Sequence, residues 1–85
     1  MVDIKQAADI AINSTRSLLV PGDQSLRVEE IEFDIKSNAW NVTVSFIDRD
    51  SQSLVPAFRP HRIYKVVRVN SHEGNVDSVK MLALP

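Results

Sequence analysis

The sequence predicts an α+β fold in which one N-terminal helix packs on a four-stranded antiparallel meander sheet, in the order α-β-β-β-β. Three observations predict this fold. The first 18 residues repeat apolar or small side chains at helical spacing, two central segments alternate apolar and polar side chains, and a hairpin pattern runs from Ile63 to Met81. A helix laid on one face of such a sheet satisfies the two-layer rule for small domains. With 85 residues, the chain is expected to form a single domain over residues 1–85.

The helix is expected to begin after Asp3, because Asp3 followed three residues later by Gln6 fits a capping box, and to end before Pro21-Gly22. Charged residues are spread through this segment, which favours an amphipathic helix over a signal peptide and predicts a cytoplasmic location. The residues expected to face the sheet are Ile4, Ala8, Ala11, Thr15 and Leu18, and those expected to face solvent are Lys5, Gln6, Asp9, Asn13 and Arg16.

The first two strands are predicted by period-2 alternation. The first spans Leu26 to Lys36 and is followed by a turn at Ser37-Asn38, and the second begins near Trp40, which is expected to anchor the core. Side chains expected toward the core are Ile31, Phe33, Ile35, Trp40, Val42, Val44 and Phe46. Side chains expected on the other face are Glu30, Glu32, Asp34, Asn41, Thr43 and Ser45.

A long loop and a hairpin complete the chain. The segment from Asp48 to His61 has no periodicity and contains two prolines, so it is predicted to be a loop. The third strand is predicted from Arg62 to Asn70 and the fourth from Val76 to Leu82. Between them, Glu73-Gly74-Asn75 supplies the glycine that a short chain reversal requires.

Composition excludes several classes of function. Eleven acidic and ten basic residues leave a net charge of −1, which argues against a general nucleic-acid or anionic-membrane binder. The chain has no cysteine, so it forms neither disulfides nor a thiolate zinc site. Its two histidines, His61 and His72, lack the spacing of metal ligands, and no nucleophile, base and orienting group can be assembled. We therefore expect no metal, no cofactor and no enzymatic activity.

Charge is distributed unevenly along the chain. Residues 59–85 hold five basic and two acidic side chains, whereas residues 1–58 hold five basic and nine acidic ones. A basic strip next to the proline-bounded loop could bind an acidic protein surface or nucleic acid. The residues expected to contact a partner are Phe58, Arg59, Arg62, Lys65 and Arg68. The favoured alternative is purely structural, with Lys65 or Arg68 pairing across the sheet with Glu30 or Glu32.

Three segments, WNVTV at 40–44, YKVVRVN at 64–70 and EGNV at 73–76, resemble the PepSY and cystatin-like group of small bacterial domains. The resemblance implies a non-catalytic module of the kind that binds or inhibits other proteins, often peptidases. Secreted PepSY domains follow a signal peptide, a pattern that this sequence does not show.

Two hypotheses about function follow. The first is a non-enzymatic protein-interaction or inhibitor-type module that contacts another protein through the 48–62 loop and the adjacent basic strand. The second is a nucleic-acid-binding module that uses the strip from Arg59 to Arg68. Homodimerisation by pairing of strand edges is compatible with both.

Overall fold

The computed structural model of the chain describes residues 1–18, 25–47 and 62–81. These residues form one helix and four strands: α1 (Ile4–Leu18), β1 (Arg27–Asp34), β2 (Ala39–Ile47), β3 (Arg62–Asn70) and β4 (Val76–Met81). The strands form one antiparallel sheet in the order β1-β2-β3-β4. The predicted α+β class and meander topology are therefore confirmed. The loop predicted from Asp48 to His61 and the end of the fourth strand at Leu82 lie outside the described residues.

The capping box at the start of α1 is formed as predicted. The Asp3 main-chain N–H donates to Gln6 Oε1 at 2.9 Å, and the Gln6 main-chain N–H donates to Asp3 Oδ1 at 2.8 Å. Two of the N–H groups that a helix leaves unpaired at its beginning are satisfied in this way.

The side of α1 that faces the sheet is lined by small residues. Ala7, Ala11 and Thr15 are fully buried, and the Thr15 hydroxyl donates to the Ala11 carbonyl oxygen at 2.8 Å. Ile10 and Ile12 flank this stripe and pack against the core. Small side chains over the sheet let the helix approach closely, while larger ones fill the space on either side.

The expectation that Ile4 and Leu18 face the sheet was wrong. Both lie close to the angular position of the buried stripe, but in the first and last turns of α1, where they are 53% and 69% exposed. Ala7 is buried in place of Ala8, which is half-buried. Helical periodicity gives the angular position of a side chain, but it does not show how far along the helix the sheet reaches.

The core lies between α1 and one face of the sheet. Alternate residues of the two central strands point toward the helix, and Leu26 joins them from the segment before β1. The buried side chains of this cluster are Ala7, Ala11, Leu26, Val42, Val44, Phe46, Val67 and Val69. Trp40 packs against the cluster, as expected, and its Nε1–H donates to the Val2 carbonyl oxygen at 3.0 Å. Its ring meets Phe33 edge to face, with centroids 4.9 Å apart.

Ile35 does not face the core, contrary to expectation. The turn between β1 and β2 comprises residues 35–38 and is longer than the predicted Ser37-Asn38 pair. Its geometry is set by Asp34 Oδ1, which accepts a hydrogen bond from the Lys36 main-chain N–H at 3.0 Å, and by Asn38, which has φ of 51°. As a result, Ile35 is 79% exposed.

The turn between β3 and β4 also depends on an asparagine and a left-handed residue. Asn70 Oδ1 accepts hydrogen bonds from the main-chain N–H groups of His72 and Glu73, at 2.9 and 3.0 Å. Gly74 has φ of 76° and donates its N–H to the Asn70 carbonyl oxygen at 2.9 Å. The predicted glycine turn is therefore present, and glycine is there because the backbone is left-handed.

Candidate interaction surface

We use the name open face for two neighbouring rows of accessible side chains on the side of the sheet opposite α1. Each row takes one residue from each strand, in sheet order, as fixed by the strand register. The first row is Glu30, Thr43, Val66 and Lys80, and the second row is Glu32, Asn41, Arg68 and Ser78. All eight side chains are exposed or half-buried. Because side chains alternate along a strand, they lie on the other side of the sheet from the buried valines.

The open face is electrically polarised across the strands. Glu30 and Glu32 are exposed on edge strand β1, whereas Lys80 is exposed on edge strand β4 and Arg68 lies on its neighbour β3. Within these two rows the two carboxylates and two cations balance. Between the charged edges, Val66 and Thr43 form a half-buried centre.

Of the predicted contact residues, Arg68 lies within the two rows of the open face, and Arg62 lies farther along β3 on the same side of the sheet. Its Nε–H donates to Asn41 Oδ1 at 3.2 Å, and its Nη2 lies 3.7 Å from Asp34 Oδ2. Under the structural alternative, Arg68 or Lys65 was expected to pair with Glu30 or Glu32. Arg68 instead pairs with Asp34, another carboxylate of β1. The Arg68 side chain remains 38% exposed. A guanidinium group has five N–H donors, so Arg68 retains donors for a further contact.

Asp34 lies where β1 ends, at a shallow depression beside the turn. The Ser37 hydroxyl hydrogen bond lowers the pKa of the Asp34 carboxyl, and the main-chain N–H groups of residues 36 and 37 and the Arg68 guanidinium lower it further, against a smaller opposing effect of burial. The carboxylate is therefore charged at neutral pH. The depression is lined by Glu32, Phe33, Asp34, Ile35, Lys36 and Asn41.

Arg62, another predicted contact residue, makes hydrogen bonds within the chain. Its Nε–H donates to Ser45 Oγ at 2.9 Å and its Nη2 donates to the Ser25 carbonyl oxygen. Ser25 Oγ in turn accepts from the Ile47 main-chain N–H at 2.9 Å. Arg62 thereby ties the segment before β1 to the two central strands. A role in partner binding stays a prediction, and it would compete with these bonds.

Lys65 lies on the opposite side of the sheet from Arg62 and Arg68. It is in register with Val44 of β2 and Met81 of β4, on the side that α1 covers. The strip expected from Arg59 to Arg68 is therefore divided between two faces. Phe58 and Arg59 lie outside the described residues.

Both edges of the sheet carry a β-bulge. On β1 the register shifts between Val28 and Glu30, which leaves Glu29 as the extra residue. On β4 it shifts between Val76 and Ser78, which leaves Asp77 as the extra residue. Arg27 and Glu29 form an ion pair beside the first bulge. Bulges and charged side chains on edge strands disfavour pairing with another strand. Of the surfaces that the described strands present, the open face is therefore better suited to a protein contact than either edge.

No protein-family model, curated protein or solved structure matches this chain. The resemblance to PepSY and cystatin-like domains therefore stays a prediction. Within residues 1–18, 25–47 and 62–81, no three His, Cys, Asp or Glu side chains are arranged so that they could hold a metal ion. In the same part of the chain, no helix has the length and apolar character needed to cross a membrane.

The sequence alone did not identify Val66 and Lys80 as members of a candidate surface. Alternation along β3 could have separated Lys65 from Arg62 and Arg68, because they differ by odd numbers of residues. The position of Lys80 level with Glu30 depends on the register of three strand pairs, including a bulge, and has no local sequence signal.

Proposed function

We propose that this chain is a non-enzymatic, cytoplasmic protein-interaction module, with the open face as its contact surface. Contacts through the 48–62 loop stay a prediction, because residues 48–61 lie outside the described residues. The observation that carries the proposal is the pattern on the open face. An accessible apolar centre at Val66 is bordered by carboxylates on one side and cations on the other. Protein interfaces combine a less polar centre with a polar rim, and complementary charges fix the orientation of the partner.

The alternative of nucleic-acid binding has less support. A nucleic-acid surface needs a surplus of positive charge that can neutralise phosphates. On the open face, Arg68 and Lys80 are offset by Glu30 and Glu32. A nucleic-acid strand lying across the face would meet the carboxylates of β1 as well as the cations of β3 and β4. A protein partner with charges of both signs fits this pattern better.

Site-specific photo-crosslinking in cells of the source organism tests the proposal. A photoreactive amino acid is placed at Glu32 or at Ser78, which lie at the two ends of the second row, so the centre of the open face stays intact. The matched control is Asn13, an exposed position on α1. We expect adducts from the two open-face positions that protease removes and nuclease does not, and none from the control.

Two results would overturn the proposal. If adducts form equally well at Asn13, the open face is not a specific contact surface. The same follows if neither open-face position yields an adduct. Adducts that nuclease removes would assign the face to nucleic acid. Far-ultraviolet circular dichroism of each purified variant verifies that the probe leaves the fold intact.

A further inference from the structure

We infer that the partner of the open face is a second copy of this chain, packed face to face about a two-fold axis parallel to the strands. The inference rests on the proposed function, because it names the occupant of the same surface. It differs from edge pairing, in which the two sheets would join side by side.

The order of charges along the first row leads to this arrangement. Glu30 stands at one end of the row on β1, and Lys80 stands at the other end on β4. A two-fold axis parallel to the strands and midway across the sheet exchanges the two edges and keeps each row at its own height. It therefore places Glu30 of each copy over Lys80 of the other.

The remaining positions also match under this symmetry. In the first row, Thr43 of one copy meets Val66 of the other, which buries the less polar centre. In the second row, Asn41 of one copy faces Arg68 of the other. The Arg68 guanidinium has more N–H donors than it uses within its own chain, so it can donate to the facing Asn41. Facing sheets pack about 10 Å apart, a gap that glutamate and lysine side chains span from either side.

The other aligned two-fold arrangement is excluded by charge. An axis across the strands would place β1 over β1, so that the exposed carboxylates of Glu30 and Glu32 would face those of the other copy. Like charges in an interface oppose association. The pattern on the open face thus selects one of the two ways in which strands of two copies can pack aligned.

The size of the face sets the strength of the contact. Four strands at about 4.8 Å spacing, with about six residues each at 3.3 Å, offer about 380 Å² per copy, or about 760 Å² in total. Stable specific interfaces bury about 1,200–2,000 Å², so this dimer is weak and reversible. We expect a dissociation constant between about 10 µM and 1 mM.

Sedimentation equilibrium over a concentration series up to about 1 mM tests the inference. We expect the unmodified chain to show a monomer–dimer equilibrium. Glu30→Lys and Lys80→Glu each replace two attractive contacts by two repulsive ones and should lower the association constant by roughly tenfold or more. The double variant restores both attractive contacts, so its association constant should return to within about threefold of the unmodified value.

Two further samples make the test specific. Asp9→Lys reverses one charge on the exposed side of α1 and should leave the association constant unchanged. Mixing the Glu30→Lys and Lys80→Glu variants should yield a heterodimer, because both interface contacts then join opposite charges. Circular dichroism of every variant verifies the fold.

The inference is overturned if the unmodified chain remains monomeric up to the highest concentration. It is also overturned if Glu30→Lys and Lys80→Glu leave the association constant unchanged, which is the result expected for edge pairing. A double variant whose association constant stays low would overturn it as well. Crosslinking then separates the two proposals. Adducts at Glu32 and Ser78 to a different protein would keep the proposed function while removing the second copy as its occupant.

Discussion

Replacing Gly74 by alanine probes the point where the helix meets the last hairpin. Gly74 has φ of 76°, which an L-residue with a Cβ rarely adopts. A Cβ at this position would lie 3.3 Å from Ile10 Cδ1 and 3.4 Å from Val2 Cγ2. The first distance is shorter than an ordinary van der Waals contact. Both the backbone and the packing at this position therefore favour glycine.

The cost of Gly74→Ala can be worked out from these two contributions. A left-handed conformation costs an alanine about 1–2 kcal/mol, and the lower entropy of the unfolded alanine chain offsets about 0.4–1 kcal/mol of that. Crowding adds little, because Cδ1 is the end of a flexible side chain and can move by a few tenths of an ångström. We expect a net destabilisation of about 1 kcal/mol, or a fall in Tm of about 4–8 °C.

Urea denaturation followed by circular dichroism, together with thermal melting, measures this loss. Asn38→Gly is the matched control, because residue 38 is also left-handed. Its bonds to Ser71 are made by the Asn38 main-chain carbonyl oxygen, so glycine keeps them. We expect it to change stability by less than about 0.5 kcal/mol. In an Ile10→Val background, which lacks Cδ1, the cost of Gly74→Ala should be nearly unchanged, because crowding against Cδ1 contributes little to it. An alanine variant as stable as the unmodified chain would refute the reasoning.

Three other predictions concern capping, the tryptophan and the turn carboxylate. Asp3→Ala removes half of the capping box and should destabilise the fold by about 1 kcal/mol in urea denaturation, whereas Asp9→Ala on the exposed side of the helix should cost less than half as much. Trp40→Phe removes the indole donor to the main chain and should cost about 1–2 kcal/mol; equal stability would mean that this bond contributes nothing. The lowered pKa of Asp34 implies stabilisation that is complete above the ordinary aspartate value of about 3.9 and is lost as pH falls through the lowered pKa. In an NMR titration, Ser37→Ala should move the Asp34 pKa back toward its ordinary value, and an unchanged pKa would contradict the assigned cause.

The features that the sequence predicted correctly are those determined by local chemistry. The Asp3 and Gln6 capping box depends on residues three apart, and the strands depend on alternation between neighbours. The third strand has the predicted bounds, Arg62–Asn70. The glycine turn follows from the conformational freedom of Gly74 itself.

The features that the sequence did not predict depend on contacts between distant residues. Ile35 continues the alternation of β1, but the hydrogen bond from the Lys36 main-chain N–H to the Asp34 side chain places Ile35 in a turn, away from the core. The two bulges shift the register by one residue on each edge strand, and no local signal marks them. The candidate surface changed for the same reason. Lys65 does not belong to the predicted basic strip, because it lies on the other face of the sheet. Lys80 lies in the same row as Glu30, and this alignment depends on three strand pairings.

The central claim is that the open face of one copy of this chain packs against the open face of a second copy. A series of ¹H–¹⁵N NMR spectra recorded from about 20 µM to about 1 mM measures that claim residue by residue, over the range in which a weak interface forms. We predict concentration-dependent shifts at Thr43, Val66 and Ser78, with unchanged signals at Asp9 and Asn13 on the exposed side of α1. Spectra that do not change with concentration, or shifts confined to the helix or to the exposed turn residue Ile35, would contradict the claim.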